Sequence, residues 1–161
     1  MKHLLLITLC MYCLLVKAQK NSLHFATGGI VGSSLSRNLK NVRGFSFNLQ
    51  YGISKLANLN LQYENVTTNV KEFTNIKYNP IFYKVGIVQY FGAAHTLFTT
   101  LNLGVQHIAE TLPLVDVGLG YQIKIDSKNS IDINTGLMFT TQNSVNANWL
   151  LFNLKYKLKL K

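Results

Sequence analysis

Catalysis needs side chains that converge, and the 161-residue chain offers few that could. Its histidines are His3, His24, His95 and His107, and no two of them have the spacing of a metal-ligand pair, so neither a metal site nor a cofactor is expected. There is no serine in a nucleophile elbow, no phosphate-binding glycine loop and no zinc-protease motif. What remains is charge. Glu64, Lys84, Asp116, Lys124, Asp132, Lys155 and Lys157 all fall within segments otherwise rich in apolar residues. Buried charges must be paired, so these side chains are expected to form a structural ion-pair network, and their reading as a permeation filter is the less favoured one.

Whether they can meet depends on the elements that hold them. After residue 18 the chain breaks into about eight runs in which apolar residues recur at every second position, as in Phe45, Phe47, Leu49, Tyr51 and Ile53, or Val115, Val117, Leu119, Tyr121 and Ile123. The last run switches parity: Leu154, Tyr156, Leu158 and Leu160 alternate with Lys155, Lys157, Lys159 and Lys161. A period of two sends successive side chains to opposite faces of a strand, and no segment competes with a helical period. The fold class is therefore all-β.

Connections alternate in length. Residues 53–58, 92–96 and 126–130 are brief and rich in Gly, Asn, Ser and Lys, as tight hairpins require. Residues 33–42, 66–80 and 141–148 are longer, with a shorter connection around 109–113. In an up-and-down meander this gathers the short turns and both chain ends at one pole. Pro80 precedes a run and Pro113 is expected in a loop, because proline lacks the backbone donor a central strand needs. A turn centred on Lys128 would set Lys124 opposite Asp132, and a last loop centred between Ser144 and Val145 would set Lys157 opposite the same carboxylate. Tyr90 and Phe98 are expected to face one another near the short-turn mouth and help block it.

Composition narrows the setting. Residues 1–18 read as a cleaved signal peptide, with a basic start at Lys2 and His3, an apolar run from Leu4 to Val16 and a small residue at Ala18. That run is short of the about 20 residues a membrane-spanning helix needs. Cys10 and Cys13 both lie inside it, preceded by the large Leu9 and Tyr12, so lipid attachment is not expected and the mature domain, 19–161, has no cysteine for a disulfide. Formal charge is +10, and removing Lys2 and Lys17 leaves +8. An exported basic chain without nucleic-acid motifs points to acidic lipid head groups or surface polysaccharide rather than to nucleic acid.

Three features decide which face turns inward. The polar face is rich in glycine (Gly28, Gly86, Gly104, Gly118, Gly120 and Gly136) interspersed with Asn48, Asn60, Asn102, Gln122 and Asn134, which suits a narrow lumen. Aromatic residues of the apolar face gather toward strand ends, as in the girdles of membrane barrels. Strands of about ten residues match the 9 to 11 that cross a bilayer when tilted. The apolar face is therefore expected to meet lipid and the charged face to line the axis.

A signal peptide, eight alternating strands, three short turns and longer loops at the opposite pole resemble the small outer-membrane barrels of the OmpA/OmpX type, over essentially all of 19–161. The resemblance implies an eight-stranded antiparallel up-and-down transmembrane barrel in the outer membrane of a Gram-negative bacterium. It also implies a structural, adhesion or surface-recognition role without a wide pore. Outer-membrane lipid, lipopolysaccharide and the barrel-assembly machinery are the partners it implies, although the chain ends in Lys161 rather than in the usual terminal aromatic. Arg37, Lys40 and Arg43 are the expected contacts to lipopolysaccharide phosphates. No external partner is specified. Two alternatives are a soluble lipocalin-like barrel for a lipophilic ligand and an outer-membrane lipid A hydrolase. For the latter His107 and Glu110 are suitably placed, but Ala109 stands where that family's His-x-Ser pattern needs its nucleophile.

Overall fold

The computed structural model describes residues 22–35, 39–70, 77–91, 96–107, 110–140 and 148–161. The expectations for residues 1–18, Arg37, His95 and Ala109 lie outside the described residues. The strands are β1 (Leu23–Ser34), β2 (Leu39–Gly52), β3 (Ala57–Val70), a short β4 (Lys77–Tyr78), β5 (Ile81–Phe91), β6 (Leu97–His107), β7 (Thr111–Lys124), β8 (Asn129–Thr140) and β9 (Trp149–Lys159).

Every pairing is antiparallel, and each of the eight long strands has a partner on both sides. The ring closes where β1 meets β9, from His24 opposite Lys159 to Ser34 opposite Trp149. Beyond that seam the Leu160 N–H still donates to the Leu23 carbonyl at 2.7 Å, and the Leu23 N–H to the Lys161 carbonyl at 3.1 Å. Closure leaves no free sheet edge along the wall, so the backbone groups are satisfied without water. β4 pairs only with the far end of β3, Tyr78 opposite Thr68.

The alternation sorts side chains as the period of two predicts. Val31, Leu103 and Leu154 are 61 %, 59 % and 58 % exposed on the outer wall, while Asn60 and Glu64 are fully buried inside. Apolar surface so extended does not face water in a stable monomer; it is the surface of a barrel that crosses a bilayer. Four outward aromatics on adjacent strands are in ring contact: Phe45 with Phe47 at 5.4 Å, Phe47 with Tyr63 at 6.3 Å and Tyr63 with Tyr83 at 5.5 Å. Phe139 on β8 and Phe152 on β9 are exposed toward the same pole.

Two expectations need correction. Pro113 is not in a loop but is the third residue of β7, opposite Val105. Pairing of β7 with β8 begins only at Leu114, so Pro113 stands at the rim with a strand on one side only, where a residue without a backbone N–H is tolerated. Arg43, expected in a loop, lies within β2 opposite Val31, because that strand starts as early as Leu39. Its side chain is exposed on the outer wall.

Nor is the interior polar throughout. At the loop pole Ile30, Val42, Val66, Phe82, Leu114, Met138, Trp149 and Leu151 turn inward and pack into one buried cluster. Phe82 and Trp149 meet edge-on, with ring centres 6.1 Å apart. Burial of two large rings on the axis stoppers the lumen from above.

Candidate functional site

Beneath the apolar cap, Lys84 of β5 bridges two carboxylates. Its Nζ lies 2.8 Å from Glu64 Oε2 on β3 and 2.9 Å from Asp116 Oδ2 on β7. Lys84 and Glu64 are buried, and Asp116 nearly so. The group is held by amides as well: Asn102 Nδ2 donates to Asp116 Oδ2 at 2.9 Å, and Gln62 Nε2 donates to Glu64 Oε1. Charge-assisted bonds to a planar amide fix each carboxylate's orientation, which lone ion pairing does not.

An amide ladder continues toward the turn pole. Asn60 Nδ2 donates to Asn102 Oδ1 at 3.0 Å, and Asn48 Nδ2 donates to Asn60 Oδ1 and Gln62 Oε1 at 3.1 and 3.0 Å. Small residues make room for it. A side chain at Gly86 would place its Cβ 2.0 Å from the Leu101 carbonyl oxygen and 2.5 Å from Asn102 Oδ1, so only glycine admits the amide there.

At the turn pole Lys157 of β9 donates to the Tyr90 hydroxyl and lies 3.3 Å from Asp132 Oδ2 on β8. Gln122 Nε2 holds the other carboxylate oxygen at 2.9 Å. Tyr90 and Phe98, on opposed positions of β5 and β6, pack with ring centres 5.6 Å apart, and the Lys157 ammonium sits 5.0 Å over the Tyr90 ring. Gly120 makes this possible, since a Cβ there would lie 2.3 Å from the Phe98 ring. Together with Val88 these rings form a second apolar stopper.

Lys155 sits between the two charged groups, buried and within the fields of Glu64, Asp116 and Asp132. Lys84, Lys155 and Lys157 thus face Glu64, Asp116 and Asp132, and the described lumen is electrically balanced. These three lysines and three carboxylates lie between the two apolar clusters.

Lys124 is not opposite Asp132, where the expected register would have it. The β7–β8 turn centres on Ser127, with the Ile125 N–H donating to the Asn129 carbonyl at 2.9 Å, and Lys124 is therefore opposite Ser130 and exposed. Gln122 takes the place opposite Asp132. On the other side Asp132 is opposite Lys155, and it reaches Lys157 diagonally. Of the basic residues expected at the loop pole, Arg37 is outside the described residues and Lys40 is known only as part of β2.

His107 ends β6 on the outer wall, its Nδ1 3.1 Å from Thr111 Oγ1. Among the described residues no group of acids, histidines or cysteines could hold a metal.

With closure, outward apolar residues and a filled polar lumen established, solved structures can be compared. Neisserial surface protein A superposes over 86 % of this chain and 97 % of its own, with a TM-score of 0.66 at 12 % identity. Ail of Yersinia pestis, solved in complex with the heparin analogue sucrose octasulfate, matches over 87 % and 100 % with a TM-score of 0.58 at 14 % identity. OprG of Pseudomonas aeruginosa matches over 88 % and 95 % with a TM-score of 0.57 at 10 % identity. The fold is that of the small outer-membrane barrels. No family model and no curated protein matches the sequence. At such low identity the likeness rests on architecture and shows the fold alone.

Proposed function

We propose that the protein is a non-enzymatic integral component of the outer membrane of a Gram-negative bacterium, a rigid barrel that carries its longer loops at the cell surface in a structural, adhesive or recognition role. One observation carries the reading: many aliphatic side chains on the outer wall are exposed, from 37 % at Val105 to 61 % at Val31, while lysines and carboxylates inside are buried and balanced. A lipocalin-like binder needs the reverse, an apolar cup and a charged exterior. Likeness to three outer-membrane barrels supports the location. Arg43, exposed on the outer face of β2, is the described residue best placed to meet an acidic lipid phosphate.

Membrane fractionation and electrophoresis test the proposal. The expected result is material that resists carbonate extraction, enriches with outer membrane and migrates as a compact form until boiled. Planar bilayers containing it should show no sustained conductance, because both poles are stoppered. A freely soluble monomer would overturn the membrane assignment, and a change in lipid A mass on expression would overturn the non-enzymatic one.

A further inference from the structure

Outside the Tyr90–Phe98 stopper, the turn pole opens into a cavity of about 270 Å³. Its walls include His24, Lys55, Lys124, Lys128, Lys157 and Lys159, and its one acidic residue is Asp126. We infer that this vestibule is a binding site for a phosphate-bearing anion, taken either from a lipid head group or from a free diphosphate.

The two carboxylates nearest these lysines, Asp126 and Asp132, already accept hydrogen bonds. Asp126 Oδ1 accepts from the Lys128 and Asn129 N–H groups at 2.7 and 2.8 Å, and its Oδ2 accepts from Asn129 Nδ2 at 2.7 Å. Asp132 is held by Lys157 and Gln122. Among the described residues Lys55, Lys128 and Lys159 form no ion pair. Cations on three separate elements of the barrel therefore border one concavity that holds the single carboxylate of Asp126, so a multiply charged anion entering it gains from all of them at once.

The concavity is also pre-organised. The Lys159 N–H donates to the Lys128 carbonyl at 2.7 Å, tying the end of β9 to the β7–β8 turn, and the Tyr156 hydroxyl donates to Asn129 Oδ1. Ser127 and Ser130 line the cavity with the lysines and bring hydroxyl groups that can donate. The volume is room for a diphosphate or a head-group phosphate but not for a folded partner. The stopper beneath makes it a dead end, so the site retains an anion and does not pass it on.

The test uses the full mature chain refolded in zwitterionic micelles. Pyrophosphate is titrated at constant ionic strength, with chloride as the control, and the amide signals of residues 127–130 are followed by NMR. In a second arm the protein is placed in phosphatidylcholine nanodiscs with and without phosphatidylglycerol. Saturable shifts confined to the turn pole are expected in one arm or both, and the responding arm identifies the source of the phosphate. The combined variant Lys55→Gln, Lys128→Gln and Lys159→Gln should weaken the response at least tenfold while unboiled migration stays compact. Lys77→Gln, on β4, should leave it unchanged. Non-saturating shifts that track ionic strength, no response in either arm, or full binding by the triple variant would each overturn the inference.

Discussion

Lys84 and Glu64 are bonded at 2.8 Å although they are not opposite each other: Glu64 faces Phe82 across the β3–β5 pairing, and Lys84 faces Gln62. On its other side Lys84 faces Gly104, over which its ammonium reaches Asp116. Lys157 repeats the pattern, facing Ser130 and bonding Asp132. A lysine stem spans the distance to a diagonal neighbour, and glycine or serine in the directly opposed place leaves room for it. Luminal ion pairs in this barrel are therefore set by side-chain reach as much as by strand register.

Charge balance of the lumen makes a graded prediction. Lys84→Met leaves two buried carboxylates facing Lys155 alone and should cost about 3–5 kcal/mol of unfolding free energy. Adding Glu64→Gln restores equal numbers of lysines and acids, and should recover a large part of that loss. Adding Asp116→Asn as well leaves an excess cation, so the triple variant should be less stable than the double. Urea midpoints in lipid vesicles rank the three; a triple variant more stable than the double would show that balance does not govern this interior.

Gln106 carries the opposite expectation. Its side chain is buried between Phe82 and Leu112, and neither amide atom has a partner among the described residues. Desolvating an unbonded amide costs about 1–3 kcal/mol. Gln106→Leu removes both orphaned atoms under the apolar cap and should raise the urea midpoint, whereas an unchanged or lower midpoint would indicate that the amide is satisfied in the folded protein.

Much of the architecture was legible because each strand obeys one period. The outward residues from Phe45 to Ile53 or Val115 to Ile123 announce both their strand and its lipid face, and the lysines of β9 announce its lumen side. Register around β8 was legible only to within two residues. The β7–β8 turn is closed by Asp126 and Asn129, and its centre at Ser127, not Lys128, moves Lys124 out to the mouth. No periodicity reveals which residue of a polar turn clasps the others. The apolar cap was also missed, because Val42, Val66, Phe82 and Trp149 sit on the parity of the polar face and were hidden by its glycines and amides. The vestibule combines residues distant in sequence, Lys55 with Lys128 and Lys159, which only closure of the ring brings together.

Depth in the bilayer can be read by two substitutions at equal exposure. Leu101 in the middle of β6 and Ile125 beside the β7–β8 turn are 56 % and 57 % exposed. Leu101→Arg puts a cation near the hydrocarbon midplane and should cost about 2–4 kcal/mol, while Ile125→Arg near the interface should cost about 1 kcal/mol or less. Folding titrations into vesicles measure both. Equal, negligible costs would mean that the outer wall faces water.

The Asp126 clasp supplies a pH dependence with a definite sign. Hydrogen bonds from the Asn129 side chain and then from the Lys128 and Asn129 N–H groups favour its charged form and hold its carboxyl below the ordinary value of 3.8. A carboxyl depressed in the folded state stabilises the turn fully above its unfolded value and loses that contribution as pH falls through the folded one. Amide exchange at Lys128 and Asn129, corrected for intrinsic rates, should therefore show constant protection from neutral pH down to about 4. Below that, protection should fall at these two amides before it falls in the β7–β8 ladder. In Asp126→Asn the acidic step should vanish, and its persistence there would assign the titration to another group.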